Sequence, residues 1–297
     1  MSIYVKNGRN ILMEQYEAYV QDLPIQVESE MVETRYGKTH VLVGGPRNGK
    51  PLFLFQGGNC INPMTLSWFL PLFEHYRIYA PDTIGHPGYS EESRISAQDE
   101  SFAFWSEDLM NHFNVKESSF VGPSYGGGII LRLATYMPDR ITRAVLVSPA
   151  GIRLGSKLKM IQKILIPLLF YRLTNKERHL RKLTDTMSNN EMKERDRQII
   201  GQIFKFTKLE QDMPKLTTRQ ELVHYKAPML IIGGTQDIFF PSSVVKSQAE
   251  QIFTGPFTFL EYEMGHFPSE EQLREINEEI QSFLQKHVTE AQQEKIE

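Results

Sequence analysis

Short apolar runs of strand length alternate with helical periods along this chain, and that alternation restricts the fold more than any other feature. The runs lie at residues 51–55, 76–80, 118–121, 143–147, 229–232 and 257–261, with apolar residues at three- to four-residue spacing between most of them. Continuously apolar strands suit a sheet covered on both faces, and strands alternating with helices build a largely parallel sheet. A hairpin precedes them, with residues 31–36 and 39–43 paired across a turn at Gly37 and Lys38. Upstream, Leu12, Tyr16, Val20 and Leu23 recur at helical spacing until Pro24, which predicts a short amphipathic helix lying on the domain. Leu273, Ile276, Ile280 and Phe283 predict a final amphipathic helix, after which residues 292–297 read as a frayed tail.

The alternation breaks once. Residues 151–223 carry helical periodicity and no convincing strand, so they are expected to form a helical cap inserted between two late strands of an α/β core made of residues 1–150 and 224–297. Charge separates the same segments. Between Ile152 and Lys226 there are 17 Lys and Arg against 8 Asp and Glu, so a total of −3 conceals a basic insertion and a core of about −12. No nucleic-acid-binding motif accompanies the basic excess, so nucleic acid is not an expected partner. The most apolar stretch, residues 164–173, is far shorter than the ~20 residues that cross a bilayer. It reads as a buried or interface-facing helix, and no stable membrane insertion is expected. Charges at Lys6, Arg9, Glu14 and Glu17 interrupt the first twenty residues, which gives no support to a signal peptide. A lone Cys60 excludes an intramolecular disulfide and a cysteine-rich metal site, and a reducing, cytoplasmic setting is expected. Composition leaves homo-oligomerisation open.

Chemistry is concentrated where the strand at 118–121 ends. Gly122, Pro123, Ser124, Tyr125 and Gly126 form a Gly-x-Ser-x-Gly pattern, followed by the helical spacing Ile129, Ile130, Leu133 and Met137. In a strand-turn-helix context this pattern presents a serine hydroxyl at the sheet rim, beside the free N–H groups of a helix N-terminus. Outside that context it is merely a glycine-rich turn. A serine nucleophile needs a base and an acid that orients the base. Of the eight histidines, His266 is best placed, in a loop with Gly265 and Pro268 after the last strand. His40, His75, His112, His179, His224 and His287 read as surface or packed side chains. Asp237 ends the loop after residues 229–232, whereas the strand at 143–147 runs on into Ser148, Pro149 and Ala150 without a carboxylate. The order Ser124, Asp237, His266 is the one associated with this type of sheet.

Four blocks in order resemble the α/β-hydrolase superfamily, and among its members small bacterial carboxylesterases with a helical cap. They are Gln56 to Asn59, Pro81 to Ser90, the Ser124 turn, and the Asp237 and His266 loops. The resemblance implies an oxyanion hole built from the backbone N–H groups of Gly58 and Tyr125. Gln56 stands where the family usually has His, which changes how that loop is braced. The resemblance makes Asp82 a loop-organising residue. His86 is expected near the site mouth, where no spacing argument makes it a base, and Cys60 reads as a packed bystander. Serine at the turn argues against the dehalogenase and epoxide-hydrolase branches, which use aspartate there. The implied reaction is hydrolysis of a small-molecule carboxylic ester through an acyl-enzyme on Ser124, with no cofactor and no metal. A carbon–carbon bond hydrolase, a lactonase or a thioesterase would share the triad, and a non-catalytic receptor would share the fold. Met160, Ile164, Leu168, Leu169, Phe170, Phe204 and Phe206 are the insertion's candidates for lining a substrate pocket, or else for packing it onto the core.

Overall fold

The computed structural model describes residues 2–5 and 7–286; the expected tail at 292–297 and His287 lie outside the described residues. Eight strands form one sheet: β1 (Val27–Thr34), β2 (Gly37–Gly44), β3 (Lys50–Leu54), β4 (Tyr76–Pro81), β5 (Ser118–Pro123), β6 (Ile141–Val147), β7 (Met229–Gly234) and β8 (Phe257–Tyr262). Their order is β1-β2-β4-β3-β5-β6-β7-β8. The two pairings that involve β2 are antiparallel and all others are parallel. The β1–β2 hairpin turns at Arg35 and Tyr36, two residues before the turn expected from Gly37 and Lys38. Gly37 instead opens β2 opposite Thr34, at φ +114°, a left-handed value that only glycine takes without strain.

Apolar side chains alternate across the central strands, because successive residues of a strand point to opposite faces. Leu52, Leu54, Val121, Val145, Leu230 and Ile232 face one layer, which includes Leu12 and Tyr16 of the helix Gly8–Asp22 and Ile276 and Ile280 of the helix Glu270–Gln285. Phe53, Phe120, Ala144, Leu146, Met229 and Ile231 face the other, packed under the helices Ser101–His112, Tyr125–Tyr136 and Ser242–Ile252. A sheet buried on both faces directs its loops to the rim, where functional groups collect beyond the carboxyl ends of the strands.

Between β6 and β7 the chain leaves the sheet as a helical insertion. One continuous helix runs from Lys157 to Thr174, with a π-helical stretch at Ile161–Leu165. Pro167 lacks the N–H that an α-helix would direct at the Lys163 carbonyl, and the wider turn accommodates that loss. Helices Glu177–Ser188 and Glu194–Phe206 follow. The N-terminal segment is tied to this insertion: Tyr19 donates to Asp196 at 3.0 Å, Arg195 pairs with Asp22 at 2.9 Å, and Tyr4 bridges Thr207. After Phe206 the chain returns over the core, where Lys215 N–H bonds Ala97 O at 3.0 Å and Thr217 N–H bonds Gly151 O at 2.7 Å. Among the described residues no helix is long and apolar enough to cross a membrane.

Candidate active site

Ser124 caps β5 at φ +50° and ψ −115°, outside the regions that L-residues ordinarily occupy, and the helix Tyr125–Tyr136 starts at the next residue. The turn is held by Ser124 N–H on Val147 O at 2.9 Å and by Ala150 N–H on Ser124 O at 3.0 Å. Its tightness depends on Gly126, where a Cβ would lie 2.6 Å from Phe55 O. Strain at one residue, sustained by its surroundings, is the arrangement that exposes a side chain at a strand-helix junction.

Two other loops bring their side chains to this point. His266 Nε2 lies 3.0 Å from Ser124 Oγ, and His266 Nδ1 lies 2.8 Å from Asp237 Oδ2. The other carboxylate oxygen, Oδ1, accepts the N–H groups of Phe239 at 2.8 Å and Phe240 at 3.1 Å. Asp237 is buried. Burial by itself would raise its pKa, but the adjacent His266 charge and hydrogen bond, with the Phe240 and Phe239 N–H groups, outweigh it and hold the carboxyl below its ordinary value. The rings of Phe239, Phe240 and Phe267 stand 5.0, 5.6 and 5.7 Å from the imidazole and screen it from water. Ser269 and Gln272 form a reciprocal capping box at the start of the last helix, which fixes the far end of the His266 loop.

Gly58 and Tyr125 sit beside Ser124, and among the described residues neither backbone N–H has an acceptor. Gln56 is fully buried and joins the Gly58 loop to the one at 81–90. Its Nε2 donates to the carbonyls of Cys60 and Pro87, and its Oε1 accepts Thr83 N–H at 2.8 Å. Asn59 N–H donates to His86 Nδ1 at 3.3 Å. Burial, with Arg94 nearby, pushes the His86 pKa down to about 3, so the ring is a neutral acceptor at ordinary pH. Asp82 is buried away from the cavity and accepts from Tyr16 at 2.8 Å, His40 at 3.0 Å and Tyr89 N–H at 2.7 Å. Cys60 donates to Gly57 O, and burial pushes its thiol up to about 12.

Ser124 and His266 open into a cavity of about 680 Å³ with mostly apolar walls. Met160, Ile164, Leu168, Leu169 and Phe204 of the insertion line it. Phe170 and Phe206 do not: Phe170 is exposed and stacks on His179, while Phe206 packs against Gly8. Two contributors carry no signal in the sequence because they act through the backbone or across a long separation. The Met187 carbonyl accepts the N–H groups of both His266, at 2.6 Å, and Phe267, at 3.1 Å. Asn59 exchanges two hydrogen bonds with the backbone of Glu210, tying the Gly58 loop to the chain leaving the insertion. Among the described residues no group of three or more His, Cys, Asp or Glu is arranged to hold a metal ion.

With this fold and these loops, the chain belongs to the α/β-hydrolase fold family, whose model matches residues 50–273. It is similar to carboxylesterase YbfK of Bacillus subtilis, 28% identical over 279 residues that cover 91% of this chain and 93% of that protein. Solved structures share the architecture. The naproxen esterase (carboxylesterase NP) of Bacillus subtilis superposes with a TM-score of 0.81 at 21% identity, covering 94% of this chain and 99% of its own. The structure of carboxylesterase CesB (YbfK) from the same organism gives 0.78 at 23% identity, covering 95% and 100%.

Proposed function

We propose that this protein hydrolyses carboxylic esters of small molecules through an acyl-enzyme on Ser124. The observation that carries this reading is the unbroken hydrogen-bonded line Ser124 Oγ, His266, Asp237, which ends in an apolar cavity beside two unpaired N–H groups. His266 Nε2 takes the hydroxyl proton as Ser124 Oγ attacks the carbonyl carbon, while Asp237 holds the imidazole tautomer and stabilises the imidazolium. The Gly58 and Tyr125 N–H groups receive the oxyanion, each worth about 10²–10³ in rate because it meets charge that develops only in the transition state. The alcohol departs with the proton from His266. Water then attacks the acyl-enzyme, with His266 again as base, to release the acid and restore Ser124.

The insertion serves as the cap of this site, and its apolar residues take the hydrophobic part of the substrate. A receptor on the same fold would need the cavity but not a buried carboxylate behind a histidine. Hydrolysis of short p-nitrophenyl esters tests the reading. The wild type should turn over, should be labelled covalently at Ser124 by a fluorophosphonate, and should lose both properties as Ser124→Ala. A wild type that releases nitrophenol no faster than the alanine variant, and resists the label, fails the reading in favour of a receptor.

A further inference from the structure

The helix from Lys157 to Thr174 is apolar on two neighbouring sides, and only one of them is used. Ile164, Pro167 and Tyr171 are buried against the rest of the insertion. Seven of the twelve exposed large hydrophobics among the described residues fall within residues 158–173, among them Leu158 at 63%, Leu165 at 54%, Leu169 at 57% and Leu173 at 71% exposure. Scattered exposed leucines are ordinary, but a contiguous stretch of them marks a contact surface. Leu165 and Leu169 also line the Ser124 cavity, so the exposed face and the cavity wall are continuous.

Charge selects the occupant. Residues 153–184 hold nine Lys and Arg and one acid, Glu177, which pairs with Arg181. Lys157, Lys159, Lys163, Lys176, Arg178 and Lys182 have no carboxylate partner among the described residues. A second copy packed across a two-fold axis would place these cations against their own equivalents. An apolar face ringed by unpaired lysines is instead complementary to an anionic lipid surface, with leucines in the acyl boundary and ammonium groups at the headgroups.

We infer that the face at residues 158–173 docks on an anionic lipid surface and passes acyl esters from it into the Ser124 cavity. The second half rests on the esterase reading, and the docking does not. Co-sedimentation of full-length Ser124→Ala protein with phosphatidylglycerol or phosphatidylcholine vesicles separates the two. The protein should sediment with phosphatidylglycerol, weakly with phosphatidylcholine, and about tenfold less in high salt. Adding Leu158→Asp with Leu173→Asp should cut binding at least about tenfold. The same pair in the wild-type background should leave hydrolysis of a soluble short ester unchanged, since neither residue lines the cavity. If that pair does not fold, Lys159→Glu with Lys163→Glu supplies the same readout. No binding to phosphatidylglycerol, equal binding to both lipids, undiminished binding by the variants, or a wild-type dimer that Leu173→Asp dissociates would each overturn docking. Vesicle binding together with a wild type that the fluorophosphonate cannot label would support docking and fail the esterase reading.

Discussion

Replacing Asp237 with Asn separates the electrostatic role of this side chain from its structural one. Oδ1 accepts two backbone N–H groups, from Phe239 and Phe240, and Oδ2 faces His266 Nδ1 at 2.8 Å. An asparagine has one oxygen to offer. Turned toward His266, it would set its NH2 against the two loop N–H groups and leave both unpaired, at about 1–3 kcal/mol each for buried donors. Turned the other way, it keeps the loop bonds and presents NH2 to Nδ1. The second orientation therefore wins. It forces the imidazole proton onto Nε2, so that nitrogen faces Ser124 Oγ as a donor and cannot take the hydroxyl proton. The expected loss in kcat is about 10⁴-fold, near 5.5 kcal/mol, with little change in KM or melting temperature. Asp237→Ala should lose as much activity and also melt lower, because the loop N–H groups are orphaned. Steady-state hydrolysis of p-nitrophenyl acetate with thermal melts of both variants reads these quantities. An Asn variant within tenfold of wild-type kcat would refute the tautomer argument, and one that melts with Asp237→Ala would refute the choice of orientation.

Arg132 is fully buried and pairs with Glu221 at 3.0 Å, so Glu221→Leu should cost about 3 kcal/mol by stranding a buried cation, measured by denaturant unfolding. Burial opposes ionisation of Glu221, but Lys215, the Thr218 N–H and Arg132 overcome it and hold its pKa near 2 against an ordinary 4.5. The unfolded chain thus takes up this proton first, and the stabilisation should be complete above about pH 4.5 and fade as pH falls to about 2, a slope absent in Glu221→Leu. Gly265→Ala places a Cβ 2.6 Å from Met187 O, so the His266 loop must shift and kcat should fall at least tenfold with protein still folded by circular dichroism. Cys60, buried with its thiol pushed up to about 12, should resist iodoacetamide in native protein at pH 8 and react only after unfolding; rapid native alkylation would show the loop at residues 56–60 to be open.

How much of this was legible in the sequence depends on what each residue does. Ser124, Asp237 and His266 follow strands whose apolar runs identify them, and a parallel sheet gathers such loops at one rim. Proximity was therefore inferable while distances were not. The hairpin turn lies two residues before its expected place because a glycine signals a turn residue in sequence, whereas the positive φ of Gly37 serves the first residue after the turn. Gln56 could be recognised as a departure from the usual histidine, yet its bonds to Cys60, Pro87 and Thr83 depend on where two loops cross. Met187 contributes only a carbonyl, a group every residue carries. The apolar stretch at residues 164–173 raised the expectation of a buried or interface-facing helix. Periodicity tells which residues share a side of a helix, but not whether that side finds a partner.

The bonds from Met187 restrict how a substrate could reach the cavity. The carboxyl end of helix Glu177–Ser188 holds the N–H groups of His266 and Phe267, so displacing that helix would release the His266 loop along with the roof. Residue 210, on the return path from the insertion, is likewise fastened to Asn59, whose own N–H meets His86 beside Gly58. Both sides of the reaction centre are thus referenced to the insertion at its second and last segments. Among the described residues the first helix carries no such bond to the Ser124, Asp237 or His266 loops, and it supplies the exposed large apolar residues that also line the cavity, Leu165 and Leu169. Entry along that helix leaves the Ser124–His266–Asp237 hydrogen bonds in place, and it is there that the uncovered apolar face coincides with lysines that have no carboxylate partner among the described residues.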